Sequence, residues 1–404
     1  MKRIQAVDFL RGLGVFFVII LHTAFYYFDG IYDVDINNPS LIITLIGFLL
    51  MFAGLFAMVS GISYTIQFLN TKNPKERIRY MGFAGLFMMI IAYLYFLFTG
   101  PGIIHFDSRS MDESLFVSFI RSGSFQPWTL ERIFYVDSLV MISFNIWLLA
   151  LLFIVIKQVI HHKKAPLYIL IFATLFMILS YVRIPLYNVY LDARDGSNYV
   201  VMILLNWLVA KNNPIFPFYA FALFGVWIAL LLKQNNFKVL RNWILPVGLS
   251  YMVIGVLGYI LTPETMLERA IDPTWYFIMV MQIGLFQLFV LLALYVFDFK
   301  QVKFNSITRF IKRFGLTGLT PFFFEQLLSA IIFVIISQFV TIKLNIPMAL
   351  AYGFIHVLIW GFILMAWEKK QYKYSIEWVY STLLNKVSPS SKLMQLEQTH
   401  ERTV

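Results

Sequence analysis

Long apolar runs joined by short polar segments dominate this chain. A helix needs about 20 mostly apolar residues to cross a bilayer, and ten runs reach or approach that length. They cover residues 9–28, 41–69, 80–98, 133–156, 166–187, 214–232, 243–261, 274–297, 319–341 and 347–367. The sequence therefore predicts an all-α, polytopic membrane helical bundle with ten transmembrane helices. A further apolar stretch, 199–210, is too short to span and suits a re-entrant or interfacial segment.

Composition excludes an ordinary soluble enzyme. Charged residues make up 13% of the chain, against about 25% in soluble domains, and the mean hydropathy is +0.76. The chain has no cysteine, so disulfides, thiolate metal sites and a cysteine nucleophile are excluded. We expect one integral membrane domain over residues 1–371.

The positive charges predict the orientation of the spans. Lys and Arg concentrate in cytoplasmic segments of membrane proteins. With the N-terminus in the cytoplasm, cytoplasmic segments carry 23 of the 32 Lys and Arg and outside segments carry eight. Both termini are then cytoplasmic in a multi-pass protein of the cell membrane. Topology and attraction to anionic lipid explain the net charge of +11, so no nucleic-acid partner is expected.

The two ends of the chain lead to separate expectations. Residues 1–3 precede an apolar run that resembles a signal peptide, but Asp8 and Arg11 interrupt it and no small-x-small site follows, so we expect a retained first helix. Near the other end, residues 372–404 should form an interfacial helix and a flexible cytoplasmic tail. The helix is predicted over 372–387 by apolar residues at helical spacing: Ile376, Val379, Leu383 and Val387.

The first span carries three ionisable residues on one face. Arg11 and His22 are about 20° from eclipsed on a helix and roughly 16 Å apart along its axis, and Asp8 lies one turn before Arg11. Such residues in a span face a bundle interior or a cavity. Arg11 could pair with Asp8 while His22 makes an interhelical hydrogen bond. Alternatively, His22 is a general base with a cationic site below it.

Further polar residues interrupt later spans. Glu325 lies about two turns into the ninth span beside Gln326, and is either a second catalytic group or a hydrogen-bond hub. Asp137, Arg132 and Glu131 cluster at the outer mouth of the fourth span, where they could contact an acceptor or simply form a rim ion pair. Two further residues have simpler interpretations. Tyr219 is a polar group on the outer side, and His356 makes an interhelical hydrogen bond.

Four segments resemble known membrane acyltransferases. Asp8-Phe9-Leu10-Arg11-Gly12 followed by His22 resembles the "D-x-x-R-G…H" opening of these enzymes, with the Arg-x10-His spacing of the acyltransferase-3 family. The other three resemble segments of heparan-α-glucosaminide N-acetyltransferase-like and YeiB-like proteins. They are 214–219 with Gly225, 315–322 with Glu325-Gln326, and 374–378.

The resemblance implies an enzyme that moves an acyl group, usually acetyl, from cytoplasmic acyl-CoA to a hydroxyl or amine. The acceptor would be an extracytoplasmic glycan or lipid-linked component of the cell envelope. In that scheme the catalytic residues are His22 and Glu325, and the donor-binding residues are Arg11 and Asp8. The acceptor-binding residues are Asp137, Tyr219 and Gln326, and no metal is expected.

Two other function classes stay open from the residues alone. A transporter or flippase would use the same intramembrane groups as substrate or ion relays. A non-catalytic membrane protein of envelope biogenesis would keep the fold and lack turnover. The sequence is compatible with a single chain or an oligomer.

Overall fold

The computed structural model describes residues 3–35, 40–50, 52–106, 108–210, 212–262, 271–339 and 343–387. Its α-helices are α1 (Gln5–Tyr27), α2 (Leu41–Leu50), α3 (Ala53–Leu69), α4 (Pro74–Leu94), α5 (Leu115–Ser122), α6 (Leu130–Ile133), α7 (Ser138–Ile156), α8 (Ala165–Leu179), α9 (Arg183–Asp195), α10 (Tyr199–Val209), α11 (Ile215–Leu232), α12 (Phe237–Leu261), α13 (Pro273–Ala293), α14 (Ser306–Leu316), α15 (Leu319–Ser337), α16 (Ile346–Glu368) and α17 (Ile376–Val387).

Ten helical segments of the described chain are long and apolar enough to cross a membrane. They are formed by α1, α2–α3, α4, α6–α7, α8–α9, α11, α12, α13, α15 and α16. Each coincides with a predicted span, so the polytopic helical bundle is confirmed. The eleventh apolar stretch is the short α10, as its length predicted. An even number of spans places the two ends of the bundle on the same side.

Four short turns and one hairpin complete the fold. One-turn π-helices, Tyr95–Thr99 and Leu294–Phe299, continue α4 and α13, and 3₁₀ turns occupy Ile31–Asp33 and Ser180–Val182. Strands β1 (Ile103–His105) and β2 (Ser110–Asp112) pair antiparallel with Ile104 opposite Met111. This hairpin is an addition that the all-helical prediction missed.

Polar side chains start several helices of the bundle. Asn73, Asp137, Asp272 and Asn345 precede α4, α7, α13 and α16, and each accepts a hydrogen bond from a backbone N–H of the first turn. These N–H groups have no partner inside the helix, and a bare N–H costs several kcal/mol in hydrocarbon. The caps therefore fix where each of these helices begins.

Helix α11 forms the centre of one half of the bundle, because every residue from Pro217 to Leu232 is buried. It packs closely on α3 through glycine. A Cβ at Gly61 would collide with the carbonyl oxygen of Ala222, and one at Gly225 would collide with that of Met58. Small residues that let backbones meet are typical of helix contacts in membranes.

We expect Gly61→Ala to lower the unfolding free energy by about 1–3 kcal/mol, because the added methyl must push α3 away from α11. The matched control is Gly82→Ala on α4, where a Cβ would meet nothing within 4 Å. That change should be neutral or stabilising by up to about 1 kcal/mol. Thermal unfolding of both variants in detergent measures the difference. Equal stability of the two would contradict the close α3–α11 contact.

Helix α1 is the centre of the other half and packs on α14 and α16. A Cβ at Gly12 would collide with the carbonyl oxygen of Ile311, one at Gly315 with that of Asp8, and one at Gly353 with that of Ile20. These contacts bring the α14–α15 turn against the first half of α1. As a result, the second half of α1 runs beside α15.

The outer segment between α4 and α7 is held by a buried arginine. Arg132 is 1% exposed, and its Nε donates to Asp112 Oδ1 at 2.8 Å while Nη1 donates to the carbonyl of Phe96 at 2.5 Å. The hairpin brings Asp112 to Arg132, so Arg132 forms no ion pair with Asp137 or Glu131 among the described residues. The arginine ties the hairpin to the π turn that follows α4.

A helix is present after residue 372, as predicted, and it is α17. The face that it turns to the protein is not the apolar face predicted from the spacing. Val379 and Leu383 are 38% and 46% exposed, while Leu384 is 3% exposed. Glu377 and Tyr380 share the inward face with Leu384 and bond to α15 and α3. The outward apolar face fits a helix at the membrane surface. The predicted tail, 388–404, lies outside the described residues.

Candidate functional site

The contact between α1 and α15 brings together a histidine and a glutamate that are 303 residues apart in sequence. His22 Nδ1 lies 2.6 Å from Glu325 Oε1, and the glutamate side chain is fully buried while the histidine side chain is 20% exposed. When Glu325 is a carboxylate, which only accepts, the Nδ1–H is the donor and a neutral ring has its lone pair on Nε2. This is the base-plus-carboxylate arrangement of acyl-transfer sites.

Tyr95 is the third member of this cluster. Its hydroxyl donates to Glu325 Oε1 at 3.0 Å. The residue opens the π turn Tyr95–Thr99, and Thr99 Oγ1 donates to the carbonyl of Phe323 at 2.7 Å, which ties the turn to α15. Single π turns inside helices are frequent at functional sites. Sequence analysis did not find Tyr95, because an ordinary tyrosine in an apolar span gives no signal.

Three of the predicted site residues each have a buried polar atom with no partner in the described part of the chain. They are Glu325 Oε2, Gln326 Nε2 and Asp137 Oδ2. Asp137 uses its other oxygen to cap α7, accepting from the backbone N–H of Val140 at 2.8 Å. Buried polar atoms without partners are uncommon in proteins. Water or a polar substrate group would satisfy them.

The two intramembrane histidines differ in their surroundings. His356 is fully buried on α16, and its Nδ1 bonds to Thr23 Oγ1 at 2.8 Å. That is the interhelical bond that the sequence predicted for His356. His22 is the one with an accessible ring and a carboxylate partner, so it is the candidate catalytic histidine.

Two ionisable residues near the start of α1, Asp8 and Arg11, do not pair with each other. Asp8 accepts from Arg3 Nε at 2.6 Å, which excludes the alternative in which Asp8 and Arg11 pair. Arg11 donates instead to Ser63 Oγ at 3.3 Å and to the carbonyl of Gly315 at 3.4 Å. Both partners are neutral, and no carboxylate pairs with Arg11 among the residues described. Its charge is therefore left for an anionic group.

A second guanidinium, that of Arg77, was not singled out from the sequence. Arg77 on α4 stacks on the ring of Tyr80 at 4.0 Å and lies 5.8 Å from that of Tyr64. Its Nε and Nη2 have no hydrogen-bond partner within the described ranges. Tyr64 directly follows Ser63, the partner of Arg11, in α3. Arg11 thus contacts one residue of α3, and Arg77 lies near the ring of the next residue along the chain.

Tyr219 occupies a different environment from the one predicted for it. It is 5% exposed, and its hydroxyl donates to the carbonyl of Leu148 at 3.1 Å. Its ring packs on Phe176 of α8. These contacts belong to the α7–α8–α11 core rather than to the histidine–glutamate pair, so the predicted acceptor contact of Tyr219 finds no support.

Most of these residues lie in a segment of the chain that matches a known protein family. Residues 3–260 match the sequence model described as heparan-alpha-glucosaminide N-acetyltransferase, catalytic. The matched part is well over half of the chain and contains His22, Arg11, Arg77 and Tyr95, whereas Glu325 lies beyond it. Among curated proteins, no match is found.

Proposed function

Because the chain belongs to the heparan-alpha-glucosaminide N-acetyltransferase catalytic family, we propose that it is a membrane acetyltransferase that uses cytoplasmic acetyl-CoA. The acceptor is an amine or hydroxyl of an extracytoplasmic glycan or lipid-linked component, and the family name favours the amine of a glucosaminide. The observation that carries the proposal is the His22–Glu325 pair, with an accessible imidazole on one side and a buried carboxylate on the other.

His22 is the general base of the proposed reaction. Nε2 removes a proton from the acceptor amine or hydroxyl while that nitrogen or oxygen attacks the thioester carbonyl. The carbon–sulfur bond then breaks, and the imidazolium returns its proton to the departing thiolate. The products are the acylated acceptor and free CoA. Glu325 orients the ring and stabilises the imidazolium. Tyr95 holds the carboxylate in place by donating to the same oxygen.

The unpartnered atoms of Gln326 and Asp137 suit the acceptor. Gln326 Nε2 is a donor for a carbonyl or hydroxyl oxygen, and Asp137 Oδ2 is an acceptor for an ammonium or hydroxyl group. Both lie in the spans and are almost fully buried, at 2% and 6% exposure. A substrate that satisfies them gains what a bare buried polar atom otherwise costs, which is about 1–3 kcal/mol each.

The donor would enter at the opposite end of α1. Arg11 and Arg77 are suited to the phosphates of acyl-CoA, because guanidinium groups make charge-assisted, bidentate contacts with phosphate. Asp8 contributes to donor binding indirectly, because it holds Arg3 at the same end of α1. The arm of the donor must then extend roughly 16 Å along α1 to bring its thioester to His22.

Arg11→Ala is expected to raise the KM for acetyl-CoA at least about tenfold with little change in kcat, because it removes a contact to a part of the donor that does not react. Lys238→Ala is the control, since Lys238 is an exposed cation in the first turn of α12 and its loss should leave KM within about twofold. Steady-state release of CoA measures both. Identical KM values would remove Arg11 from the donor site.

The experiment that tests the function uses the purified chain in a bilayer with labelled acetyl-CoA and an amine-bearing glucosaminide. The proposal expects stoichiometric CoA release and acetylated acceptor. Flux of the glucosaminide across the bilayer without CoA release would indicate a transporter instead. Neither flux nor acetyl transfer would indicate a non-catalytic membrane protein.

A further inference from the structure

The helix that carries Glu325 begins without a cap of its own. Its N-cap residue is Gly318, which has no side chain to accept from the first backbone N–H groups. The third residue, Pro321, has no N–H. Two backbone donors, those of Leu319 and Thr320, therefore have no partner inside α15 or from its own N-cap residue.

Glu377 of α17 satisfies both donors. Its Oε1 accepts from the backbone N–H of Leu319 at 2.5 Å and from that of Thr320 at 3.1 Å, and its Oε2 accepts from Thr320 Oγ1 at 2.5 Å. Thr320 Oγ1 in turn accepts from the backbone N–H of Ile376 at 2.9 Å. A carboxylate at a helix N-terminus is also favoured by the helix dipole.

The cap comes from outside the bundle. Glu377 lies 57 residues after Thr320 in sequence, on a helix that no described span includes. A second bond docks this helix, because the Tyr380 and Tyr64 hydroxyls lie 3.1 Å apart. The start of α15 is thus set by a peripheral helix, and Glu325 follows within two turns of it.

We infer that Glu377 is a positioning residue that fixes the start of α15 and, through it, the place of Glu325 against His22. The expected effect on turnover rests on the proposed function. The hydrogen bonds from which the inference is drawn do not depend on that function. Hydrogen bonding rather than charge does the positioning. A neutral amide oxygen accepts from the same two N–H groups, and its NH₂ can donate to Thr320 Oγ1.

The test compares Glu377→Ala, Glu377→Gln and Glu368→Ala. Glu368 is a matched control because it is a carboxylate on the same side of the bundle, 43% exposed and paired with Arg313. We expect Glu377→Ala to lower kcat about tenfold with the KM for acetyl-CoA changed less than about twofold. Glu377→Gln should restore turnover to within about threefold of wild type, and Glu368→Ala should match wild type. Turnover of Glu377→Ala equal to that of Glu368→Ala would overturn the inference.

Two readouts work without turnover and separate this inference from the proposed function. Amide hydrogen exchange at 319–320 should rise in Glu377→Ala and stay slow in the other two variants. The rate at which diethyl pyrocarbonate modifies His22 should change in Glu377→Ala in the same direction as in Glu325→Gln. Unchanged exchange or unchanged modification in Glu377→Ala would overturn the positioning role. If the wild type shows no acetyl transfer while both readouts behave as expected, the proposed function fails and the positioning of Glu325 stands.

The pH dependence of stability gives an independent check on the contact. Burial raises the pKa of Glu377 above its ordinary value of 4.5, so the folded state binds this proton more tightly than the unfolded state. The contribution of Glu377 to stability is therefore fully present at low pH and decreases as pH rises through the folded pKa. The Tm of Glu377→Gln minus that of wild type should increase with pH over this range. A flat difference would contradict the buried contact.

Discussion

Replacing His22 by alanine is expected to lower acetyl transfer by at least about 10³-fold, because the variant loses the group that takes the acceptor proton and returns it to the thiolate. Arg11 and Arg77 remain in place, so the affinity for acetyl-CoA should stay within about threefold. Release of CoA and equilibrium binding of acetyl-CoA, measured on the same sample, separate the two effects.

The matched control for His22 is the other intramembrane histidine. His356→Gln keeps a polar group for Thr23, so it should retain most of the transfer activity even if it lowers thermal stability. Loss of activity in both variants with equal loss of stability would point to two structural histidines. Activity retained in His22→Ala would refute the assignment of the base.

Glu325→Gln should be the second most damaging change, with kcat reduced about 10²–10⁴-fold. The amide is isosteric, but it can donate to Nδ1 and so favours the wrong tautomer of His22, and it cannot stabilise an imidazolium. A carboxylate-to-amide change beside a catalytic histidine has an effect of this size in serine proteases. The measurement is single-turnover acetyl transfer at saturating acetyl-CoA.

A glutamate outside the site provides the comparison for this variant. Glu131 is exposed in α6, and Glu131→Gln should leave transfer unchanged. Tyr95→Phe removes only one of the bonds to Glu325 and should fall between the two, with a loss of about tenfold or less. An order of effects in which Tyr95→Phe exceeds Glu325→Gln would contradict the role of Glu325.

The spans could be predicted because the bilayer imposes its thickness on the sequence. Any helix that crosses it must be apolar over a fixed length, so hydropathy alone located all ten segments. The depth of His22 and Glu325 followed from the same argument. That these two side chains meet could not be predicted, because the contact depends on how α1 and α15 pack.

The errors have a common physical cause. Asp8 and Arg11 are neighbours on one helix, but Arg3, Ser63 and the Gly315 carbonyl compete for them through the packing of other segments. Arg132 pairs with Asp112 for the same reason. The hairpin that brings Asp112 to it has no periodic pattern of apolar residues in the sequence. For α17 the spacing of apolar residues gave the outward face, whereas the inward face is selected by hydrogen bonds to α15 and α3.

Helix α1 runs without interruption from Gln5 to Tyr27, so Arg11 and the imidazole of His22 are held on one rigid helix. Their separation cannot adjust to the donor. A thioester whose acyl tail is several carbons longer would need extra room beyond His22, where Phe322 and Tyr26 already stand about 6 Å from the imidazole, centroid to centroid. If the chain transfers acyl groups as proposed, we expect this rigid helix to favour short acyl groups by length rather than by chemical recognition.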